Sequence, residues 1–392
     1  MVLGFDLQAG GPPEWQLIGE GLHFLGGSLC WQQSGHWDRG RQAFQGPGTQ
    51  LLHLSPAGLN PNCTSLPDAA VSDREGRMSC RNVLITGCSS GIGLALAVHL
   101  ARDELRRFRV VATMRDLGRR GELETRAGTA LGHTLEIRQL DVDCEESVRR
   151  CVEAIPQRRV DVLVSNAGRG LVGPLELQSV EAARRLLDTN VLGLLRLVRQ
   201  VLPDMKRRRS GHVVVMSSVL GLQGLLFNDL YCASKFAVEG FCESLALQAL
   251  KFGVHISLIE PGPVATEFER KLYEEAATLD LSGLDPETRE LFQGFYLPYS
   301  REVFAALAQS PAEVAEHTAR VITSESPPFR SQTNSLYAPL ATLKHADTSG
   351  HLPLAAFQRL IFQHDRLFKA SLSLLKLLQW RKRRDMDHTK TP

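Results

Sequence analysis

Three side chains in one stretch have the types and spacing for proton transfer to or from a carbinol oxygen. Tyr231 and Lys235 stand four residues apart in YCASK, and Ser218 lies thirteen residues upstream of the tyrosine. If Asn228 or Asp229 caps a helix here, the phenol and the ammonium share one face of it. A phenol with its ordinary pKa of about 10 is too weak an acid to serve as a base at neutral pH. An ammonium about 4 Å away, at an effective dielectric of about 20, is worth roughly 4 kcal/mol, or about three pKa units. The expectation is therefore a Tyr231 phenol brought close to neutrality, with Ser218 holding the substrate oxygen. Taken alone, Tyr-x-x-x-Lys also describes an ordinary pair on a helix surface. The strands and turns around it decide between the two.

The apolar run Val213 to Met216 reads as a buried strand that ends in Ser217 and Ser218. In an open α/β sheet, ligands bind at the carboxyl ends of the strands. The first such strand is NVLIT (82–86), which runs into Gly87-Cys-Ser-Ser-Gly91-Ile-Gly93 and then the apolar helix pattern LALAVHLA. Strand, glycine turn and helix form a pyrophosphate cradle, because glycine lets backbone approach the phosphates and the helix amino end supplies N–H groups. Gly87, Ser89, Ser90, Gly91, Ile92 and Gly93 are thus candidates for cofactor binding. A second strand, RVVATM (109–114), is followed by Arg115. An acid at that point would meet a ribose 2′-hydroxyl, whereas an arginine accommodates a 2′-phosphate. Arg115, with Ser89 or Ser90 beside it, favours NADP(H), although Asp116 follows and a solvated surface arginine is the plainer alternative.

Further strands bring further candidates to the same edge. LEIRQLDV (135–142) places Asp141 toward an adenine, and VDVLVSNAG (160–168) leads into the turn Asn166-Ala167-Gly168. An amphipathic helix is expected over 180–209, with Asn190 facing inward among Leu187, Val191 and Leu194 and a solvated basic run, Lys206 to Arg209, at its carboxyl end. VHISLIEPG (254–262) is a sixth strand, after which Pro261, Gly262 and Val264 turn over the cofactor and Thr266 is placed to touch a carboxamide. Residues 267–308 are helical but broken by Gly283, Asp285-Pro286 and Pro298, as expected for a lid over a substrate pocket. Another helix starts at Pro311.

The chain has 392 residues, 45 Lys and Arg against 43 Asp and Glu, and a net charge of +2, which gives no electrostatic sign of a nucleic-acid binder. Its eight cysteines form neither a Cys-x-x-Cys pair nor a zinc spacing, and no His-Glu-x-x-His occurs. Reduced thiols in a cytosol-facing protein, without a metal, are the expectation. Residues 1–80 are rich in Gly, Pro, Ser and Gln and read as a disordered extension. Met78 offers a second natural start, so residues 1–77 can also be an over-extended gene model. The apolar stretch Leu17 to Trp31 is too short and too interrupted to span a bilayer, and no basic leader precedes it. From Leu354 onward, Phe, Leu, Ile and Trp380 alternate with Arg and Lys and end in Arg381 to Arg384. This pattern suits an in-plane amphipathic helix on anionic lipid, or a helix packed on the protein or on a second subunit as a homodimer contact.

Taken together, TGxxxGxG (Thr86 to Gly93), NAG (166–168), Asn190, Ser218, Tyr231-x-x-x-Lys235 and PG (261–262) resemble the short-chain dehydrogenase/reductase family over residues 82 to about 325. The resemblance implies an α/β, Rossmann-type doubly wound parallel sheet of about seven strands, with helices on both faces. It also implies Asn190, Ser218, Tyr231 and Lys235 as a catalytic tetrad: Tyr231 as general acid/base, Ser218 orienting the carbonyl, Lys235 on the nicotinamide ribose, and Asn190 holding a water. VVATMRDLG (110–118), FNDLYCASKFAVEGFCESLA (227–246) and PPFRSQTNSLYAPLATLK (327–344) resemble the branch that holds the estradiol 17-beta-dehydrogenases and the photoreceptor-type retinol dehydrogenases. The last segment, with GPVATEFERKL and GLQG, is nearer the retinol side. Aligned by hand, the steroid enzymes' imidazole anchor falls on Leu291 and their acidic anchor near Leu360, so both polar groups are missing. A lining of Leu171, Leu225, Phe227, Leu291, Phe292, Phe295 and Tyr296 suits a polyene, and apolar pockets discriminate weakly. The implied substrate is a retinoid alcohol or aldehyde, with an estrone/estradiol-type steroid as the alternative and a non-catalytic dinucleotide-binding scaffold as a further one.

Overall fold

The computed structural model describes residues 80–362. The expected extension over 1–80 lies almost wholly outside the described residues, as does the tail beyond residue 362. Seven strands form one parallel sheet in the order β3-β2-β1-β4-β5-β6-β7. They are β1 (Arg81–Ile85), β2 (Phe108–Met114), β3 (Leu135–Gln139), β4 (Val162–Ser165), β5 (Gly211–Met216), β6 (Val254–Glu260) and β7 (Arg330–Gln332). The order reverses between β1 and β4, and that is where a crevice opens at the carboxyl ends of a doubly wound sheet.

Alternation along the strands supplies both faces with a core. Val83 and Ile85 of β1, Val162 and Val164 of β4, and Val214 of β5 point to one side. There they meet α1 (Gly91–Ala101), α2 (Gly121–Ala127) and α10 (Pro311–Thr323). Leu84, Leu163, Val213 and Val215 point to the other, against α3 (Glu145–Glu153), α5 (Gly193–Arg208) and α6 (Asp229–Ala249). Strands buried on both faces read as continuous apolar runs, which is why they stand out in the sequence. Helix α1 is buried almost all round, and α10 begins with a capping box in which Ser310 and Glu313 bond each other's backbone N–H.

Three expectations change. The helix expected over 180–209 is two helices, α4 (Val180–Leu187) and α5, joined by a π-turn over Asp188–Leu192 that carries Asn190. The basic run at its end is not simply solvated: Arg208 pairs with the buried Asp161 at 3.1 Å and with Asp204 at 2.7 Å, and Lys206 lies over the Phe252 ring. The sheet also extends past residue 325, because β7 comes from the segment PPFRSQTN and pairs with β6 through Leu258–Arg330, Ile259–Ser331 and Glu260–Gln332. The 267–308 region forms α7 (Glu267–Ala277), α8 (Pro286–Arg289), a π-helical stretch (Glu290–Tyr296) and α9 (Leu297–Leu307). It has a small core of its own, in which Phe292 and Tyr296 are buried with Val172, Ala276 and Leu297. Two last helices, α11 (Ala338–Ala346) and α12 (His351–Phe362), complete the described chain.

Candidate active site

A cleft of about 560 Å³ opens over the ends of β1, β2, β4 and β5. Gly87, Ser89, Ser90, Gly91, Ile92, Arg115, Asp141, Asn166, Ala167 and Gly168 line it from one side, and Ser218, Tyr231, Lys235, Pro261, Gly262, Val264 and Thr266 from the other. Gly87 and Gly91 hold φ of +73° and +60°, which a side chain would strain. Gly93 is not part of the lining: a Cβ there would stand 2.3 Å from the Gly87 carbonyl oxygen, so this glycine serves the close packing of α1 under the turn. Asn166 likewise braces the turn. Its amide donates to the carbonyls of Thr86 at 2.9 Å and Gly87 at 3.2 Å, while Thr86 Oγ accepts from the N–H groups of Asn166 and Ala167.

The donor set fits a dinucleotide carrying an extra phosphate. Ser90 is the N-cap of α1 and makes no side-chain cap bond, so its hydroxyl stands with the first-turn N–H groups at the helix's positive end. Arg115 is exposed at the cleft rim. Asp116, which weighed against NADP(H) in the sequence, spends its carboxylate on the N–H of Gly118 at 2.8 Å and caps its own turn. Beyond it, Arg119 reaches across to Glu267 at 2.9 Å, tying the second strand's loop to α7. Asp141 lies where the chain leaves β3, its carboxylate accepting from the N–H of Asp143.

On the catalytic side, Ser218 follows β5, its hydroxyl accepting from the Leu220 N–H at 3.1 Å and donating to the Pro261 carbonyl at 3.5 Å, and it lines the same cleft as the Tyr231 phenol. Helix α6 has Asn228 as its N-cap, but the Asn228 side chain makes no cap bond. Its amide donates instead to the carbonyl of Leu226 and to the Tyr296 hydroxyl, at 2.8 and 2.7 Å. Asn190 is buried in the π-turn, accepting from the N–H of Arg169 at 2.8 Å and donating to its carbonyl and to Ser234 Oγ, each at 3.0 Å. A π-turn inside a helix pair often marks a functional position.

The expected acidic phenol is not what the structure holds. Lys235 is buried and donates to the Met216 carbonyl at 2.9 Å, with Nζ 5.7 Å from the centre of the Tyr231 ring. Burial pulls its ammonium down to about 8. Burial also pushes the Tyr231 phenol well above its ordinary value, and the nearby Glu269 charge pushes the same way, while Ser218 opposes both. The ammonium is turned to a backbone carbonyl and the phenol is desolvated, so Tyr231 is a protonated acid in this form.

The five candidate substrate residues lie off this lining. Phe227, at φ +57°, packs edge-on against Phe292 and Tyr296 at 4.9 and 5.2 Å. Phe295 stacks on Tyr299 and on Phe362 of α12 at 5.6 and 5.7 Å. Leu171, Leu225 and Leu291 are half-buried on the loops and the π-helical stretch around them. The side chain of Leu360 is outside the described ones. Three residues absent from the sequence reading also face the site or its support. Glu269 lines the cleft with its carboxyl pushed up to about 7 by burial. Glu239 and Arg330 form an ion pair behind Lys235. Glu239 had one signal to offer, its place one turn beyond Lys235; Arg330 had none, since β7 is three residues long.

A parallel sheet with a glycine turn at β1 and a hydroxyl, a phenol and an ammonium at β5 and α6 defines an α/β oxidoreductase of the dinucleotide-binding kind. The chain belongs to the short-chain dehydrogenase family, whose model, described as short chain dehydrogenase, matches residues 81–277. It is 56% identical to retinol dehydrogenase 8 of Bos taurus over 295 residues, which is 75% of this chain and 95% of that protein. It is 48% identical to 17-beta-hydroxysteroid dehydrogenase type 1 of Homo sapiens over 284 residues, covering 71% and 85%. Among solved structures, a variant of actinorhodin polyketide ketoreductase with NADPH matches with a TM-score of 0.55 at 28% identity, covering 65% of this chain and 95% of that one.

Proposed function

We propose that this protein is an NADP(H)-dependent oxidoreductase that interconverts a retinoid alcohol and aldehyde, reducing all-trans-retinal to all-trans-retinol. The observation that carries the retinoid reading is the 56% identity along nearly the whole of a retinol dehydrogenase. Arg115, at the rim and free of competition from Asp116, supports the 2′-phosphate form of the dinucleotide. When bound, the nicotinamide supplies the hydride.

The chain's own residues do the rest. Tyr231, held protonated by burial, donates its proton to the carbonyl oxygen as negative charge develops there. Ser218, which lines the same cleft as that phenol, fixes the oxygen between the two hydroxyls. Lys235 offers a positive charge that stabilises the phenolate left behind and binds ribose hydroxyls. Asn190, with Arg169 and Ser234 holding its amide, orders the water that reaches Lys235. Leu171, Leu225, Phe227, Leu291 and Phe295 lie off the cleft lining, so in this reading they support the lid and do not wall the reacting centre. A 17-beta-hydroxysteroid substrate is the second reading, favoured by the 48% identity to the steroid enzyme, with Leu291 at the imidazole anchor's place opposing it.

Peripheral attachment to a membrane, facing the cytosol, belongs to the same proposal. No helix among the described residues is long and apolar enough to cross a bilayer. Helix α12 exposes Leu352, Leu354 and Phe362, and the basic run follows outside the described residues. Deleting residues 354–392 should release the protein from anionic vesicles, and undiminished pelleting would remove this helix as the anchor. The substrate is tested by NADPH consumption with all-trans-retinal and with estrone. Faster turnover of retinal supports the retinoid reading, faster turnover of estrone replaces it with the steroid one, and no turnover of either leaves a dinucleotide-binding scaffold.

A further inference from the structure

Behind the catalytic face lies a buried charge cluster that the tetrad does not include. Glu239, 5% exposed, stands one turn beyond Lys235 on α6. Its carboxylate accepts from the hydroxyl of Ser217, the neighbour of Ser218, and pairs with Arg330 of β7. The same guanidinium reaches Glu260, fully buried at the end of β6, at 3.1 Å and Glu243 of α6 at 3.0 Å. The Gln332 amide donates to the other oxygen of Glu260. Two buried carboxylates, Glu239 and Glu260, thus share Arg330, and the ammonium of Lys235, one turn before Glu239 on α6, donates to the Met216 carbonyl. Buried charges persist only when paired in this way.

We propose that Glu239, clamped by Ser217 and Arg330, is a positioning residue for Lys235, supplying the buried counter-charge that keeps the ammonium charged beside Tyr231. The C-terminal strand β7, beyond the residues matched by the family, is thereby part of the catalytic apparatus. The inference rests on the roles given above to Tyr231 and Lys235. Burial acts against the ammonium and the Glu239 carboxylate acts for it. The groups that act on Lys235 are Tyr231, Glu239 and Cys242 of α6 and the Met216 carbonyl of β5, and, one layer back, Ser217, Glu260 of β6 and Arg330 of β7 around Glu239. Cys242, pushed up to about 12 by burial, stays neutral. Glu269 of α7 faces Tyr231 from across the cleft.

The test is Glu239→Gln, followed as the pH dependence of kcat for aldehyde reduction and of NADPH binding by fluorescence. Removing a negative charge makes both the ammonium and the phenol stronger acids. Whichever loses its proton first, the alkaline limb of kcat should fall by about one pH unit. NADPH affinity should be lost at a correspondingly lower pH. A merely structural role would lower the folded fraction and leave both limbs in place, so unmoved limbs in folded E239Q protein would overturn the proposal. The clamp is checked by melting temperature. R330Q, which leaves two carboxylates facing each other, should melt lower than wild type, and adding E239Q should restore part of the loss; strictly additive effects would contradict the pairing. If the wild type turns over no carbonyl, the functional reading fails, while the binding limb still decides the role of Glu239.

Discussion

The cleft over β1, β2 and β4 is made of backbone held by a sheet, whereas the α7 to α9 region beside it is made of side chains held by other side chains. In the first, position follows from strand register and from glycines whose neighbours leave no room for a Cβ. In the second, Phe227, Phe292 and Tyr296 fix one another through ring contacts in a core separate from the sheet's two. Sheet-borne sites tolerate little variation, and lids carry it, which is why close relatives can share the nucleotide cleft and differ in substrate.

Ways to break this comparison start with the group at its boundary. Tyr231→Phe should lower kcat by roughly 10²–10⁴-fold, with NADPH affinity kept, as measured by steady-state kinetics and fluorescence titration. Arg115→Ala should reduce the preference for NADPH over NADH by about 10–100-fold, the range expected for lost charge-assisted bonds to a phosphate. Gly93→Ala and Gly283→Ala then sharpen the contrast. The first puts a Cβ 2.3 Å from a carbonyl oxygen and should cost about 1–3 kcal/mol in thermal or urea unfolding. The second meets only Leu177 at 4.0 Å and should be close to neutral.

A smaller effect is expected at Glu269, where the two regions meet. Burial raises its carboxyl in the folded protein from an ordinary 4.5 to about 7. A raised folded value means stability that is fully present below the unfolded pKa and lost as pH rises through the folded one. Glu269→Gln, which cannot ionise, should therefore leave the melting temperature near that of wild type at pH of about 4 and raise it at pH of about 8, on the order of 1 kcal/mol.

The same contrast explains what could be read from the sequence. Strands β1, β2, β4, β5 and β6 announce themselves as apolar runs because both faces are covered, and the residues at their ends, from Gly87 to Thr266, fall into one cleft. The tetrad's elements were readable too, except that Asn190 sits in a π-turn and not in an unbroken helix: nothing in Asp188–Leu192 breaks the 3.6-residue pattern. Strand β7 escaped because three half-buried residues have no periodicity. The acidic phenol was wrong for a different reason. Spacing puts Lys235 on the face of Tyr231, but only packing shows that its ammonium turns to the Met216 carbonyl and that burial raises the phenol.

The central claim is that Tyr231 enters the reaction as a protonated acid. It is tested most directly by the pH dependence of single-turnover reduction of all-trans-retinal by the NADPH-loaded protein. The account predicts a rate that is level through neutral pH and declines on the alkaline side, with Y231F slow throughout. A rate that climbs with pH across the neutral range, or a Y231F protein that matches wild type, would contradict it.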